Sequence, residues 1–358
     1  MPTLAAQFLE LPPERRTLAF AQTAARMAAS SVMVEKDFWV CWLLGLLFAD
    51  AELAPHLVFK GGTSLSKVFG VIDRFSEDID LSMSPAFVGV DEAAFEAMKS
   101  RTRRDTTMAQ MQSLCGERTR AFLMPRLEAT IVDHLGKRSS RAPWLRYEDD
   151  PIARSPVVHF EYPSAAGSGF DYLTREVKLE LGSLTDQRPT ERHAVRAWVV
   201  DDFPAAFSDW DFQVTALELP RTFWEKATIL HAEHHRPQDQ PTPDRYARHY
   251  SDMARLLEHA TAAAMLANHA LCARVVEWKS RVFARHWARY DLARPGSFRL
   301  LPPEGRLAAL ARDYAQMRAM FLTAPPVFDV VMTQLADAER TLNLNPAVTP
   351  SLGAHRVA

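Results

Sequence analysis

Residues 59–81, which read FKGGTSLSKVFGVIDRFSEDIDL, constrain this chain more than any other stretch. The apolar residues 57–59 predict a strand, and the glycine pair after it predicts a turn into a short helix at residues 63–69. Glycines let the backbone approach a ligand closely, and the free N–H groups at a helix start favour an anion such as a triphosphate. The residues that we predict to contact phosphate are Gly61, Gly62, Thr63 and Ser64.

Two aspartates follow at the spacing of a strand face. Polar and apolar residues alternate over residues 76–83, so Asp78 and Asp80 project together from one face of a predicted strand. Two adjacent carboxylates repel each other unless a cation lies between them, and a hard divalent ion that carries substrate phosphates is the usual reason for such a pair. We therefore predict a metal site in which the two acids face the glycine turn.

A later segment, residues 175–182, alternates in the same way. Glu176, Lys178 and Glu180 share one face of this predicted strand. If the strand lies beside the one that carries the two aspartates, Glu180 completes a three-carboxylate metal site and Lys178 can contact a phosphate. The alternative is an exposed strand face with alternating charges.

A lysine lies among inward-facing residues of a predicted helix that starts at Pro220. Phe223 and Leu230 define the apolar side of this helix, and Lys226 falls between them. A lysine in that position needs a partner or a ligand, and Asp252 on a later helix can supply one. The pair is either part of the active site or a structural ion pair.

Composition indicates a soluble globular protein, with 47% hydrophobic and 24% charged residues. The net charge of −2 excludes a generic nucleic-acid coat protein, which would be basic throughout. The most apolar run, residues 38–49, is too short to cross a bilayer and predicts a buried helix. Three widely spaced cysteines argue against disulfides and a thiolate zinc site, and no export signal is apparent. We expect a cytoplasmic protein without a membrane partner.

Two further groups have both a functional and a structural interpretation. Residues 274–299 interleave arginines with Trp278 and Trp287, which suits phosphate contact and base stacking or, equally, an amphipathic helix with solvated arginines. His231 and His235 have the spacing of zinc ligands but lack the Glu-x-x-His signature, which favours a solvated helix end.

The order of predicted elements indicates an α+β fold. Strands are predicted at residues 156–162, 175–182, 194–200 and 213–217, after the strand, glycine turn and aspartate strand already described. We predict a nucleotide-binding domain at residues 1–217, with a mixed β-sheet flanked by helices and a helical insertion at about 87–150. A C-terminal helical bundle follows at residues 218–344, and residues 345–358 are predicted to be a flexible tail.

The glycine and aspartate segments together resemble the first motif of the AbiEii/AbiGii-type nucleotidyltransferase toxins, which have a DNA polymerase β-like core. The family's further motifs follow in order, as Glu-Lys-Asp at residues 35–37, Val-Lys-Leu-Glu at 177–180 and Glu-Lys at 225–226. In the last motif this chain has His249 where many members have aspartate, so only Asp252 is carried over.

This resemblance implies a toxin that moves a nucleotide from a nucleoside triphosphate to an acceptor hydroxyl. It implies two Mg²⁺ ions held by Asp78, Asp80 and Glu180, and catalytic roles for Lys226 and Asp252. The implied acceptor is RNA, in particular the 3′ end of tRNA, and the implied partner is an antitoxin encoded alongside that need not bind the toxin. The alternatives are a transferase acting on a protein or small-molecule hydroxyl, and an inactive nucleotide-binding protein.

Overall fold

The computed structural model describes residues 4–150, 155–165 and 174–344, and the predicted tail at 345–358 lies outside them. The chain divides into two units. The first lies within Met1–Leu219 and Met320–Ala324, and the second lies within Pro220–Ala319 and Pro325–Ala358.

The first unit contains a mixed sheet and the helices around it. Its described helices are α1 (Ala6–Leu9), α2 (Pro13–Met27), α3 (Ser31–Ala49), α4 (Gly61–Lys67), α5 (Glu92–Glu96), α6 (Arg101–Arg118), α7 (Met124–Leu135) and α8 (Trp198–Asp202). A π-helical turn, Thr119–Leu123, joins α6 to α7. Pro125 in the first turn of α7 has no N–H for the ordinary helical hydrogen bond, which explains the irregular turn before it.

The sheet has seven described strands in the order β3-β4-β5-β2-β1-β7-β6. They are β1 (Leu57–Lys60), β2 (Ile79–Met83), β3 (Leu145–Asp150), β4 (Ser155–Phe160), β5 (Val177–Gly182), β6 (Thr190–Ala194) and β7 (Gln213–Leu217). Strand β2 is antiparallel to β1 and parallel to β5, while β1 is parallel to β7. The remaining pairs, β3 with β4, β4 with β5 and β6 with β7, are antiparallel. The predicted α+β class with a mixed sheet is confirmed.

Helix α3 runs through the core of the first unit. All fifteen residues from Met33 to Leu47 are buried, as expected for a helix that is apolar around most of its circumference. The Trp39 ring packs edge-on against Trp42 and stacks on Tyr162, at centroid distances of 5.3 and 5.7 Å. The predicted buried helix is thus confirmed, and none of the helices among the described residues is long and apolar enough to span a membrane.

The predicted strand at residues 194–200 is wrong. Strand β6 ends at Ala194, and α8 begins at Trp198. The segment between and after them is apolar and buried at Val195, Val199 and Val200, and a short buried run of this kind does not reveal by its periodicity whether it is strand or helix.

The predicted helical insertion at 87–150 contains α5, α6 and α7, but its last six residues form strand β3 of the main sheet. Five of those six residues are at least partly exposed, and the sequence, Leu-Arg-Tyr-Glu-Asp-Asp, is polar because β3 is an edge strand. An exposed edge strand lacks the alternating apolar pattern from which strands are predicted.

A five-residue segment from late in the chain, Met320–Ala324, belongs to the first unit. Here it is called the strap. Its backbone pairs with the loop before β2, where Phe75 donates its N–H to the Met320 carbonyl at 2.7 Å and Leu322 donates to the Asp73 carbonyl at 2.9 Å. The Thr323 hydroxyl donates to the Asp73 carboxylate at 2.6 Å. The strap therefore fixes the loop that leads into the aspartate strand.

The second unit is helical. Its described helices are α9 (Leu219–His234), α10 (Ala247–Glu258), α11 (Ala262–Ala267), α12 (His269–Val282), α13 (Leu307–Gln316) and α14 (Phe328–Leu344). Helix α10 packs against both α13 and α14. Its apolar side, with Tyr250 and Met253 fully buried, faces inward.

Candidate active site

The glycine turn and the aspartate strand approach each other closely. Strand β1 ends at Lys60, and Gly61 follows with a φ of +83°, a backbone conformation that favours glycine. A Cβ placed on Gly61 would lie 2.7 Å from Cγ of Asp80, so only a residue without a side chain fits here. Asp80 therefore faces the glycine turn as predicted, whereas the same orientation of the Asp78 carboxylate stays a prediction.

Gly62 lies against the loop before β2, where a side chain would clash. A Cβ placed on Gly62 would lie 2.8 Å from Arg74 Nη2 and 2.9 Å from Ser76 Oγ. Arg74 is 3% exposed, so its guanidinium is held within the protein against the glycine turn. Arg74 was not predicted to lie at this position, although it falls within residues 59–81, the stretch that most constrains the chain.

The hydroxyl residues of the turn stabilise it from within. Thr63 and Ser64 are both fully buried. The Thr63 hydroxyl lies 2.5 Å from the Asp78 carbonyl and 2.9 Å from Ser76 Oγ, and the Ser64 hydroxyl donates to the Gly61 carbonyl at 2.9 Å. Thr63 thereby links α4 to the start of the aspartate strand, while phosphate contact by either hydroxyl stays a prediction.

Two of the three predicted metal ligands, Asp80 and Glu180, lie on adjacent strands, and Asp78 lies directly before the first of them. Strand β5 runs parallel to β2, with Asp80 opposite Glu180, which confirms the condition on which the role of Glu180 depended. Burial, and then the charge of Glu77, raises the pKa of Asp78 to about 6. The carboxylates of Asp80 and Glu180 act in the same direction. The site therefore holds an excess of negative charge that a divalent cation would relieve.

Two lysines flank these acids. Lys178 Nζ lies 2.6 Å from Glu180 Oε1, and Lys60 Nζ lies 3.8 Å from Asp80 Oδ1. Among the described residues, Asp78, Asp80 and Glu180 do not offer one carboxylate oxygen each within 4.8 Å of one another. Three carboxylates beside two lysines nonetheless suit Mg²⁺. This ion prefers oxygen ligands, keeps several of its waters and needs only one or two carboxylates.

A tighter acidic group lies elsewhere, at Glu92, Glu96 and Asp186, whose oxygens come within 4.8 Å of one another. Arg188 Nη2 contacts Glu92 Oε1 at 3.0 Å and Glu96 Oε1 at 2.5 Å, and the Arg188 backbone N–H donates to Asp186 at 3.2 Å. The guanidinium thus supplies the positive charge that a metal ion would bring. We assign this group a structural role.

In the second unit, the predicted contact between Lys226 and Asp252 is confirmed. Lys226 Nζ on α9 lies 2.6 Å from Asp252 Oδ2 on α10 and 3.3 Å from His249 Nδ1. Lys226 is 6% exposed and Asp252 1% exposed, so the pair is almost completely desolvated. His249, which stands where many members of the resembled family have aspartate, therefore contacts the same ammonium.

The predicted solvated helix end at His231 is wrong, because His231 is fully buried. Its Nε2 lies 2.9 Å from the Arg289 carbonyl, and its Nδ1 accepts the Arg299 N–H at 3.1 Å. Burial lowers its pKa to about 4. Since both ring nitrogens are bonded within the protein, His231 is a structural residue and not a zinc ligand.

Residues 274–299 do not form one basic helix. Helix α12 ends at Val282, and short 3₁₀ turns follow. Several of the cations are bonded within the unit, since Lys279 lies 2.8 Å from Glu225 and Arg299 lies 3.0 Å from Glu339. Phe283 is 44% exposed, so part of the aromatic surface remains available for stacking.

Comparison with known proteins places the chain in a family. No curated protein matches the sequence significantly. Among solved structures, the chain is similar to MenT4, a nucleotidyltransferase toxin from Mycobacterium tuberculosis H37Rv, with 15% sequence identity and a TM-score of 0.42 over 92% of this chain and 99% of that one. A family model, "Nucleotidyl transferase AbiEii toxin, Type IV TA system", matches residues 42–334, which include the glycine turn, the three acids and the Lys226–Asp252 pair. The chain therefore belongs to the AbiEii family of nucleotidyltransferase toxins of type IV toxin–antitoxin systems.

Proposed function

We propose that this toxin transfers a nucleotide from a nucleoside triphosphate to the 3′ hydroxyl of RNA, in particular of tRNA. The observation that carries the proposal is the approach of the Gly61 backbone to the Asp80 carboxylate, which brings a phosphate-binding turn against acids that suit a metal ion. Family membership supports the reaction type. The tRNA acceptor comes from the resemblance to this family.

In the proposed reaction the acceptor oxygen attacks the α-phosphorus of the triphosphate. A new P–O bond forms, the bond to pyrophosphate breaks, and the hydroxyl proton leaves to solvent. Asp78, Asp80 and Glu180 would hold Mg²⁺, which when bound lowers the pKa of the attacking hydroxyl and stabilises the charge of the leaving pyrophosphate. Transfer to the 3′ end of tRNA would block aminoacylation and stop translation.

The other residues have supporting roles in this proposal. The backbone of Gly61 and Gly62 would contact the phosphates, and Lys178, which lies next to Glu180, would balance phosphate charge. Lys226 would neutralise a phosphate, and Asp252 would orient its ammonium. These assignments follow the motifs that the chain shares with the family.

The proposal also defines partners. Because a tRNA acceptor is found in the cytoplasm, we expect the protein to act there. We also expect a cognate antitoxin encoded alongside, which restrains growth arrest and need not bind the toxin directly.

The decisive experiment incubates the purified protein with Mg²⁺, all four nucleoside triphosphates and total RNA, and then sequences RNA 3′ ends. We expect added nucleotides on tRNA, and their loss in the Asp80→Ala variant, which keeps its fold because Asp80 lies at the surface of the site. Parallel protein and small-molecule pools receive the same labelled nucleotides. Label in one of those pools only, or undiminished transfer and toxicity in the variant, would refute the proposal.

A further inference from the structure

We propose that Lys36 and Asp37, adjacent residues of α3, are positioning residues for nucleotide transfer. In this proposal Lys36 holds the segment directly before strand β2, which carries Asp80. Asp37 holds the end of helix α4, which begins with the glycine pair. The inference rests on the proposed function, because the distance between these two elements matters for the reaction that they perform together.

Lys36 reaches the residue just before the first catalytic aspartate. Its side chain is 2% exposed, and its Nζ lies 2.5 Å from Glu77 Oε2 and 3.0 Å from the Thr174 carbonyl. Glu77 directly precedes Asp78, so a buried ion pair ties the backbone at the entrance of β2 to the core helix. A buried ammonium that has such partners keeps one geometry, since leaving them would expose an unpaired charge to an apolar interior.

Asp37 reaches the other element of the site. Its Oδ1 lies 2.5 Å from Lys67 Nζ, and its Oδ2 accepts the backbone N–H of Trp198 at 2.8 Å. Lys67 is the last residue of α4, and its ammonium also lies 4.6 Å from the centre of the Trp198 ring. Both carboxylate oxygens and the lysine are therefore fixed, and with them the end of α4.

The two residues can act on different elements because neighbours on a helix point about 100° apart. Between the two tethered elements, the Asp80 carboxylate lies so close to Gly61 that no side chain fits, and Thr63 bonds to the Asp78 carbonyl. A displacement of well under 1 Å in either element changes this approach. The charged pairs supply the directional contacts that the surrounding apolar core of α3 lacks.

The preceding residue, Glu35, offers a matched control. It is 1% exposed and lies on the same helix. Its carboxylate accepts the Ser164 hydroxyl at 2.7 Å and the Ala165 N–H at 2.5 Å, and this segment lies outside both β2 and α4. Loss of the Glu35 charge thus disturbs a buried polar contact of the same helix without releasing the two elements of the site.

The test uses double variants that remove both charges of a pair, Lys36→Met with Glu77→Gln, and Asp37→Asn with Lys67→Met. Removing both partners is often close to neutral for stability, whereas removing one leaves an uncompensated buried charge. Steady-state kcat and KM for the triphosphate are measured at a temperature where circular dichroism shows every variant folded.

The two double variants should change different kinetic constants. Release of β2 should lower kcat by about 10- to 100-fold with KM within about threefold, because the acids act on the transfer step. Release of α4 should raise KM by about tenfold with a smaller loss of kcat, because this helix carries the phosphate-binding turn. Glu35→Gln should keep both constants close to those of the parent protein.

A second readout does not depend on activity. Amide hydrogen exchange at residues 61–65 and 76–80 should accelerate in the double variants and not in Glu35→Gln. Unchanged kcat, KM and exchange in folded double variants would overturn the positioning role, and equal losses in Glu35→Gln would reduce it to general stability. If the parent protein transfers no nucleotide, the proposed function fails while hydrogen exchange still decides whether Lys36 and Asp37 hold the two elements.

Discussion

At the scale of single residues, Gly61 is restricted both by its own backbone conformation and by the neighbouring Asp80 side chain. Its φ of +83° alone would cost an alanine on the order of 1 kcal/mol, a cost that many proteins tolerate. The approach of the Asp80 carboxylate adds a steric exclusion that no side chain escapes. The two effects can be separated because Gly70 has a φ of +60° and open space around a Cβ.

Gly61→Ala should therefore lose nucleotide transfer by on the order of 100-fold, because the methyl group displaces the Asp80 carboxylate. Gly70→Ala carries the same kind of backbone strain and should keep its activity. Transfer rates and thermal unfolding midpoints of both variants check this. Similar midpoints with a large difference in rate are expected, and an active Gly61→Ala would show that the turn and the acid need not touch.

At the scale of elements, alternation along residues 76–83 and 175–182 predicted which side chains share a strand face, because side chains two apart on a strand point the same way. That β2 lies beside β5, with Asp80 opposite Glu180, is seen only in the fold, and a metal site shared by Asp78, Asp80 and Glu180 stays a prediction. The helix formed by residues 198–202 was not predictable, since a fully buried run carries no periodicity. The partners of Lys36 and Asp37 could not be predicted from the sequence either. They lie 30 to 161 residues away, and only the three-dimensional fold brings them together.

Buried His231 on helix α9 predicts that the stability of the protein depends on pH. The folded-state pKa of about 4 lies below the ordinary histidine value of 6.5, so between these values the unfolded state binds a proton that the folded state does not. Stability is fully present above pH 6.5 and decreases as the pH falls towards 4, by about 3 kcal/mol at most.

Urea unfolding of the parent protein and of His231→Gln between pH 4.5 and 8 tests this expectation. The variant should show a flatter dependence of the unfolding free energy on pH, because the group that takes up the proton is gone. An unchanged slope in His231→Gln would contradict the assignment.

At the scale of the whole molecule, the candidate residues are divided between the two units. The glycine turn and the three acids belong to the first unit, and the Lys226–Asp252 pair belongs to the second. In the proposed mechanism the metal ligands and Lys226 therefore belong to separate parts of the chain, and their effects should be separable by mutation.

Lys226→Met combined with Asp252→Asn should lower nucleotide transfer by on the order of 100-fold and retain the rise in unfolding temperature that Mg²⁺ causes in the parent protein. Asp78→Asn should lose both nucleotide transfer and the rise in unfolding temperature that Mg²⁺ causes. Thermal unfolding with and without Mg²⁺, together with transfer assays, distinguishes the two patterns. Arg236→Met, which breaks a 2.7 Å contact with buried Glu233 in the second unit, controls for loss of a buried ion pair.

Because the strap is translated late, it affects what a partly synthesised toxin can do. Residues 320–324 complete the loop before the aspartate strand, yet they emerge after about a hundred residues of the second unit have been made. Chains fold from the N-terminus as they leave the ribosome, so a partly translated toxin can assemble its sheet while this loop still lacks its partner. We expect prematurely terminated products to be harmless to the cell that makes them, a safeguard built into the connectivity of the polypeptide.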